Sequence, residues 1–183
     1  MKKILVILIL SLSFYCNANC EERELQLNKL FNQLKNNNNA SIAFEIEMKI
    51  WNIWSTHPTQ EKLTQSLSKG SDLISKGKLE KAYRIFSAII DTTPDWSEGW
   101  NKRATVLYLM GRYEDSLRDI DEVLKRESRH FGALSGRGLV HIKLKNYEKA
   151  IESYEAVQKI YPSISSAKIM IPQLKKIIKG EAV

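Results

Sequence analysis

Proline, serine and proline stand at 94, 128 and 162, and the 34-residue step between them recurs through the middle of the chain. With units counted from Leu63, Ser97 and Phe131, the eighth place reads Gly70, Ala104 and Gly138. The twentieth reads Ala82, Ser116 and Ala150, the seventeenth Leu79, Tyr113 and Tyr147, and the twenty-fourth Phe86, Ile120 and Tyr154. A period of this length is one supersecondary unit that cannot bury its apolar face alone, so neighbouring units must stack. Small residues at the eighth and twentieth places let the two helices of a unit approach closely, and the large residue at the twenty-fourth fills the gap between units. Gly77 and Gly111 at the fifteenth place end the first helix, and proline at the thirty-second stops the second.

This pattern resembles the tetratricopeptide repeat over residues 63–164, with Trp100 at the fourth place of the middle unit. Departures are Ser128 for proline, Lys145 for glycine, and Ser66 and Leu134 for tryptophan. The resemblance implies an all-α fold, a right-handed superhelical stack of antiparallel helix hairpins with units at 63–96, 97–130 and 131–164. It also implies that helix A of each unit lines the concave side and that Trp100 packs in the core.

The flanking segments extend the helical reading. Leu27, Leu30, Phe31 and Leu34 form one stripe, Asn36 to Asn39 a loop, and Ala43, Ile46, Ile50 and Ile53 a second stripe ending near Pro58. Residues 21–60 are thus a degenerate N-terminal hairpin of the stack, and Trp51 and Trp54 belong to its core. The run Phe44 to Trp51 also alternates at period 2, but a lone strand in a helical array would have no pairing edge, so helix is expected. At the other end Ala167, Met170, Ile171, Leu174, Ile177 and Ile178 recur at helical spacing, the capping helix that a stack of hairpins needs within residues 165–183. Pro172 should kink that helix or mark its start.

Residues 1–20 read as a signal peptide: two lysines, an apolar run of 12 residues from Ile4 to Tyr15, then small residues. The run is short of the roughly 20 residues of a membrane span, which predicts cleavage and a periplasmic or otherwise extracytoplasmic bacterial protein. A lipoprotein anchored at Cys20 is the alternative, although Asn17 departs from the aliphatic place of a lipobox. Both cysteines, Cys16 and Cys20, lie in this leader, which removes thiol chemistry, a zinc cluster and an internal disulfide from the rest of the chain. With Lys2 and Lys3 gone, 26 basic residues face 21 acidic ones, an excess of +5 in place of +7. Those charges are scattered, so no nucleic-acid partner is expected.

The remaining chemistry is mostly decoy. Gly132, Gly136 and Gly138 fit neither phosphate-loop spacing. His57, His130 and His141 are too dispersed to share a metal, and His141 should make an inter-helix hydrogen bond. No nucleophile signature is present, so no catalytic, cofactor-binding or metal residue is assigned and no enzyme is expected. The seventh place is basic in every unit, Lys69, Arg103 and Arg137; the family resemblance implies a structural salt bridge from Arg103 to Asp119 at the twenty-third place. Units one and three have Ile85 and Ser153 there, so a ligand role stays open beside a structural one for Lys69 and Arg137.

Carried over from the resemblance, the concave floor is Leu67, Ser71 and Ile74, then Asn101, Lys102, Thr105, Tyr108 and Leu109, then Ser135, Leu139, Ile142 and Lys143. The peptide-binding residues expected are Asn101, Lys102, Thr105, Tyr108, Ser135, Leu139 and Lys143, burying a peptide or partner helix on the aliphatics and Tyr108. The carboxylate clamp of chaperone-binding relatives would need matching polar residues where Leu67, Ser71, Lys102, Gly132 and Gly136 stand, and is expected to be absent. The function this predicts is an exported, non-catalytic interaction scaffold or adaptor. The rival is a structural subunit or assembly factor of an envelope complex using convex or N-terminal surfaces, and an incomplete end of the stack leaves a homodimer open.

Overall fold

The computed structural model describes residues 21–181, so the leader reading and residues 182–183 lie outside the described residues. Helix α1 covers residues 21–35, followed by α2 (Ala40–Ser55), α3 (Glu61–Ser75), α4 (Leu79–Thr92), α5 (Ser97–Leu109), α6 (Tyr113–Arg126), α7 (Phe131–Lys143), α8 (Tyr147–Ile160) and α9 (Ser165–Ile178). Among the described residues there is no strand, and the stretch Phe44 to Trp51 is helical. Nor is any helix among them long and apolar enough to cross a membrane.

From α3 onward each helix packs on the next, and the first helices of successive units, α3, α5 and α7, also touch. The eighth place explains the close pairing. A Cβ on Gly70 would sit 2.5 Å from the Phe86 ring, and one on Gly138 would sit 2.8 Å from Tyr154. The twenty-fourth residue therefore packs against the eighth of its own unit, and it also reaches the next unit as the sequence suggested, Phe86 clustering with Val106 and Ile120 with Ala133 and Val140. In the middle unit Ala104 takes that place, and its carbonyl accepts the Ser116 hydroxyl at 2.8 Å.

Each hairpin turns through a left-handed residue at the fifteenth place: Gly77 (φ 67°), Gly111 (φ 75°) and Lys145 (φ 58°). The chain closes each turn with the same bond, the sixteenth amide donating to the eleventh carbonyl: Lys78 to Leu73, Arg112 to Leu107 and Asn146 to His141, at 2.8, 2.9 and 2.8 Å. Lys145 thus adopts a glycine conformation with a Cβ attached. Lys145→Gly is expected to stabilise the protein by about 1 kcal/mol, read as a rise in thermal midpoint.

Pro172 lies inside α9, which starts at Ser165, so it does not mark the start of the helix. Its missing amide leaves the Lys168 carbonyl without a helical donor, and both residues are on the exposed face, where water can serve that oxygen.

The larger departure is the N-terminal hairpin. Its core, with Leu27, Phe31, Leu34, Ile50 and Trp54, is completed by Phe131, Leu134, Val157 and Tyr161 of the third unit. It lies across the stack and does not extend it. Its α2 helix touches α5, and Trp51 lies against Gly132 of α7, both on the face formed by the first helices of the units. Arg129 fastens the other edge, reaching Glu24 at 2.9 Å, bonding to Asn28 and standing over the Phe31 ring.

Candidate functional site

A cleft of about 90 Å³ opens between α5 and α7. Of the expected peptide-binding residues, Asn101, Thr105, Tyr108 and Leu139 line it; Lys102, Ser135 and Lys143 do not. Gly132 and Gly136, at the second and sixth places of α7, keep its far wall low, and Ala104 and Ile120 form its floor. Tyr108 is steadied by the Tyr113 ring, with centroids 5.8 Å apart. The Thr105 hydroxyl donates to the Asn101 carbonyl at 3.0 Å. Leu139 is 42% exposed at the mouth.

Beside this cleft the hairpin builds a closed polar centre. Glu98 is fully buried, and its carboxylate accepts from His130 Nε2 at 3.1 Å, from Asn101 Nδ2 at 3.1 and 3.2 Å, and from Lys102 Nζ at 3.3 Å. His130 Nδ1 accepts the Ala133 amide at 3.0 Å, capping α7, so the imidazole carries its proton on Nε2 and points it at Glu98. Trp54 stacks face to face on that imidazole, with centroids 4.0 Å apart and 8° between planes. Lys102 Nζ lies 5.7 Å from the Trp51 centroid, over a ring that itself meets His130 edge-on. Burial pushes the Glu98 carboxyl up, but the hydrogen bond from His130, then the Lys102 charge and the Asn101 amide, outweigh it and hold the group below its ordinary 4.5.

These contacts correct two of the expected peptide-binding residues. Asn101 is buried, with its amide committed to Glu98, and Lys102 is divided between Glu98 and Trp51. Asn101 still lines the cleft, and the Lys102 side chain keeps about a quarter of its surface exposed, 26%. Leu67 is likewise in the core of the first unit, beside Phe86 and Trp96.

At Gly132 the hairpin meets the stack tightly, since a Cβ there would stand 2.5 Å from the Trp51 ring edge. Gly132→Ala is expected to cost about 1–3 kcal/mol and to displace Trp51, seen as a shift in tryptophan emission ahead of global unfolding.

Other singled-out residues divide cleanly. Arg103 donates from Nε and Nη2 to the two oxygens of Asp119 at 2.7 and 2.8 Å, with side chains 17% and 6% exposed. Asp119→Ala is expected to cost about 2 kcal/mol in denaturant unfolding, less than a fully buried pair because Arg103 keeps some water. Trp100 is half-buried and packs against the core of the middle unit, while its Nε1 donates to the Pro94 carbonyl at 2.8 Å and the guanidinium groups of Arg103 and Arg126 stand over its ring. His141 makes no inter-helix bond, contrary to expectation, and its buried Nδ1 has no partner.

A wider cleft of about 290 Å³ lies where the hairpin leaves for the first unit, around Trp54, His57 and Trp96. Its polar groups already serve the fold. The Trp96 indole donates to the Trp54 carbonyl at 2.9 Å, and Arg126 donates to the Pro94 carbonyl at 2.7 Å. Among the described residues no three His, Cys, Asp or Glu side chains converge as a metal site would require.

Stacked hairpins with close-packed small residues and left-handed turns at a fixed period define a helical-repeat protein. The tetratricopeptide repeat family profile matches residues 101–163. A TPR repeat-containing protein of Rhizobium etli is 33% identical over 168 residues, an alignment covering 90% of this chain and 79% of that one. The chain belongs to the tetratricopeptide repeat family. Human DnaJ homolog subfamily C member 3 is 30% identical over 110 residues, 60% of this chain and 22% of its own length. Among solved structures, the first TPR domain of Spaghetti bound to an HSP90 peptide superposes with a TM-score of 0.62 at 19% identity, over 65% of this chain and 94% of that one. The Yersinia enterocolitica type III secretion translocator chaperone SycD gives 0.62 at 15% identity, over 69% and 100%. At these identities both structures speak to the fold alone.

Proposed function

We propose that this chain is an exported, non-catalytic adaptor that binds a peptide or partner helix in the α5–α7 cleft, with the α1–α2 hairpin as a fixed wall at one end. The observation that carries this reading is the set of exposed apolar side chains at inward repeat places, of which Leu139 lines the cleft itself. Leu109, Leu139 and Ile169 are exposed at inward places of α5, α7 and α9. Phe44 and Met48, 59% and 51% exposed, share the α2 face of Trp51 at helical spacing. The cleft is sized for one aliphatic side chain of such a ligand, with the Thr105 and Tyr108 hydroxyls at its edge. The HSP90-peptide complex of the Spaghetti domain supports peptide binding as a use of this fold. Export rests on the pattern of residues 1–20, and N-terminal sequencing of the protein from cells tests it.

Affinity capture from crosslinked cells, run with the native chain and with Leu139→Glu, checks the binding site. A partner enriched by the native chain and lost with the charged variant is the expected result. The second reading, an envelope-complex subunit using its N-terminal surface, draws on the same exposed Phe44 and Met48. A partner lost with Phe44→Glu and retained with Leu139→Glu would select it and overturn the cleft.

A further inference from the structure

Arg103 and Arg137 hold the same place in consecutive units, and their surroundings differ by one side chain. Sixteen positions beyond Arg103 is Asp119, which takes the guanidinium fork with both oxygens. Sixteen positions beyond Arg137 is Ser153, which offers one hydroxyl oxygen to Arg137 Nε at 3.2 Å and donates its own proton to the Lys149 carbonyl at 2.8 Å. Among the described residues no carboxylate lies within ion-pair distance of Arg137.

The Arg137 guanidinium, held among the described residues only by the Ser153 hydroxyl, lines a cleft of about 260 Å³ between α6, α7 and α8, which shares no residue with the α5–α7 cleft. His141 and Lys149 line it too, and the buried Nδ1 of His141 is without a partner. Asp121 and Glu152 complete the rim. Asp121 holds the place that Ser87 holds for Arg103, where the Ser87 hydroxyl accepts from Arg103 Nη1 at 3.3 Å. Burial lowers the His141 pKa, Lys149 and Arg137 lower it further, and Asp121 and Glu152 act against them. A planar fork that is filled by a carboxylate one unit earlier selects a planar anion. Two rim carboxylates disfavour a doubly charged ligand such as phosphate far more than a singly charged one.

We propose that the α6–α7–α8 cleft binds a single carboxylate, from a partner's acidic side chain or from a small organic acid, on the Arg137 fork with His141 and Lys149 beside it. Titration of the isotope-labelled protein with acetate to about 200 mM at constant ionic strength, followed by NMR, reads the site directly. Saturable shifts of the Arg137 Nε–H and His141 ring signals are expected. The apparent affinity should fall at least ~10-fold in Arg137→Gln and in Ser153→Asp, and rise in Asp121→Asn. Ser153→Asp supplies the missing carboxylate from within, so it should raise the thermal midpoint as it blocks the site, which separates occupancy from unfolding. A parallel titration with hexaglutamate distinguishes the sources: binding much tighter than acetate assigns an acidic protein segment, and binding no tighter assigns a small acid. Absence of saturable shifts, shifts unchanged in both blocking variants, or phosphate binding tighter than acetate would overturn the proposal.

Discussion

Glu98→Ala is expected to remove about 3–5 kcal/mol of unfolding free energy, the cost of deleting one member of a buried charged network and leaving the others dry and unpaired. The His130 Nε2–H, the Asn101 amide and one contact of Lys102 would all lose their acceptor at once. Set against total stabilities of about 5–15 kcal/mol, that loss leaves the chain marginal. Glu98→Gln keeps an acceptor and loses the charge, so a smaller loss of about 1–2 kcal/mol is expected. The same carboxylate sets an acid limit. Its folded pKa is depressed, so its contribution is complete above the unfolded value near 4.5 and disappears as pH falls through the lower folded value. Urea unfolding across that range should show stability falling with acid in the native chain, with a shallower fall in Glu98→Gln.

Trp54→Ala is expected to cost about 3–5 kcal/mol, the range for deleting a large buried aromatic. Trp54 lies at the centre of the hairpin interface, against Phe31, Phe131 and the His130 imidazole, with centroids 5.8, 5.0 and 4.0 Å away. Its Nε1 is buried without an acceptor, so stacking and burial hold it, not a hydrogen bond. Trp54→Phe therefore keeps most of the packing and drops an unsatisfied donor, and its cost should be under ~1.5 kcal/mol. A Trp54→Phe loss equal to that of Trp54→Ala would contradict this view of the interface. Trp54 and Glu98 meet through His130, so their double substitution should fall short of the sum of the singles.

The repeat architecture is legible in the sequence because close packing demands particular residues at fixed places. Gly70 faces Phe86 and Gly138 faces Tyr154, and nothing larger fits at either glycine without movement. The docking of the hairpin is not legible. Leu27, Phe31, Ile50 and Trp54 announce that α1 and α2 bury a face, but an apolar stripe carries no address, and capping α3 would have satisfied the same pattern. The Glu98 centre escapes for a related reason. A glutamate in the first turn of α5 reads as a solvated partner of the helix dipole, and it is the tryptophans of α2, docked more than 40 residues away in sequence, that dry it. The spacing of Glu98, Asn101 and Lys102 on one face was the available trace. Once that centre forms, Asn101 and Lys102 change from ligand-binding candidates to structural residues, and the cleft shifts toward Thr105, Tyr108 and Leu139.

Photo-crosslinking tests peptide binding in that shortened cleft most directly. Benzoylphenylalanine placed at Leu139, and separately at Lys125 on the exposed face of α6, is irradiated in cells, and the adducts are mapped by mass spectrometry. The expected result is one recurrent adduct from position 139, to a single segment of one partner, that is suppressed by Tyr108→Ala. Recurrent adducts from position 125 with none from position 139 would contradict it.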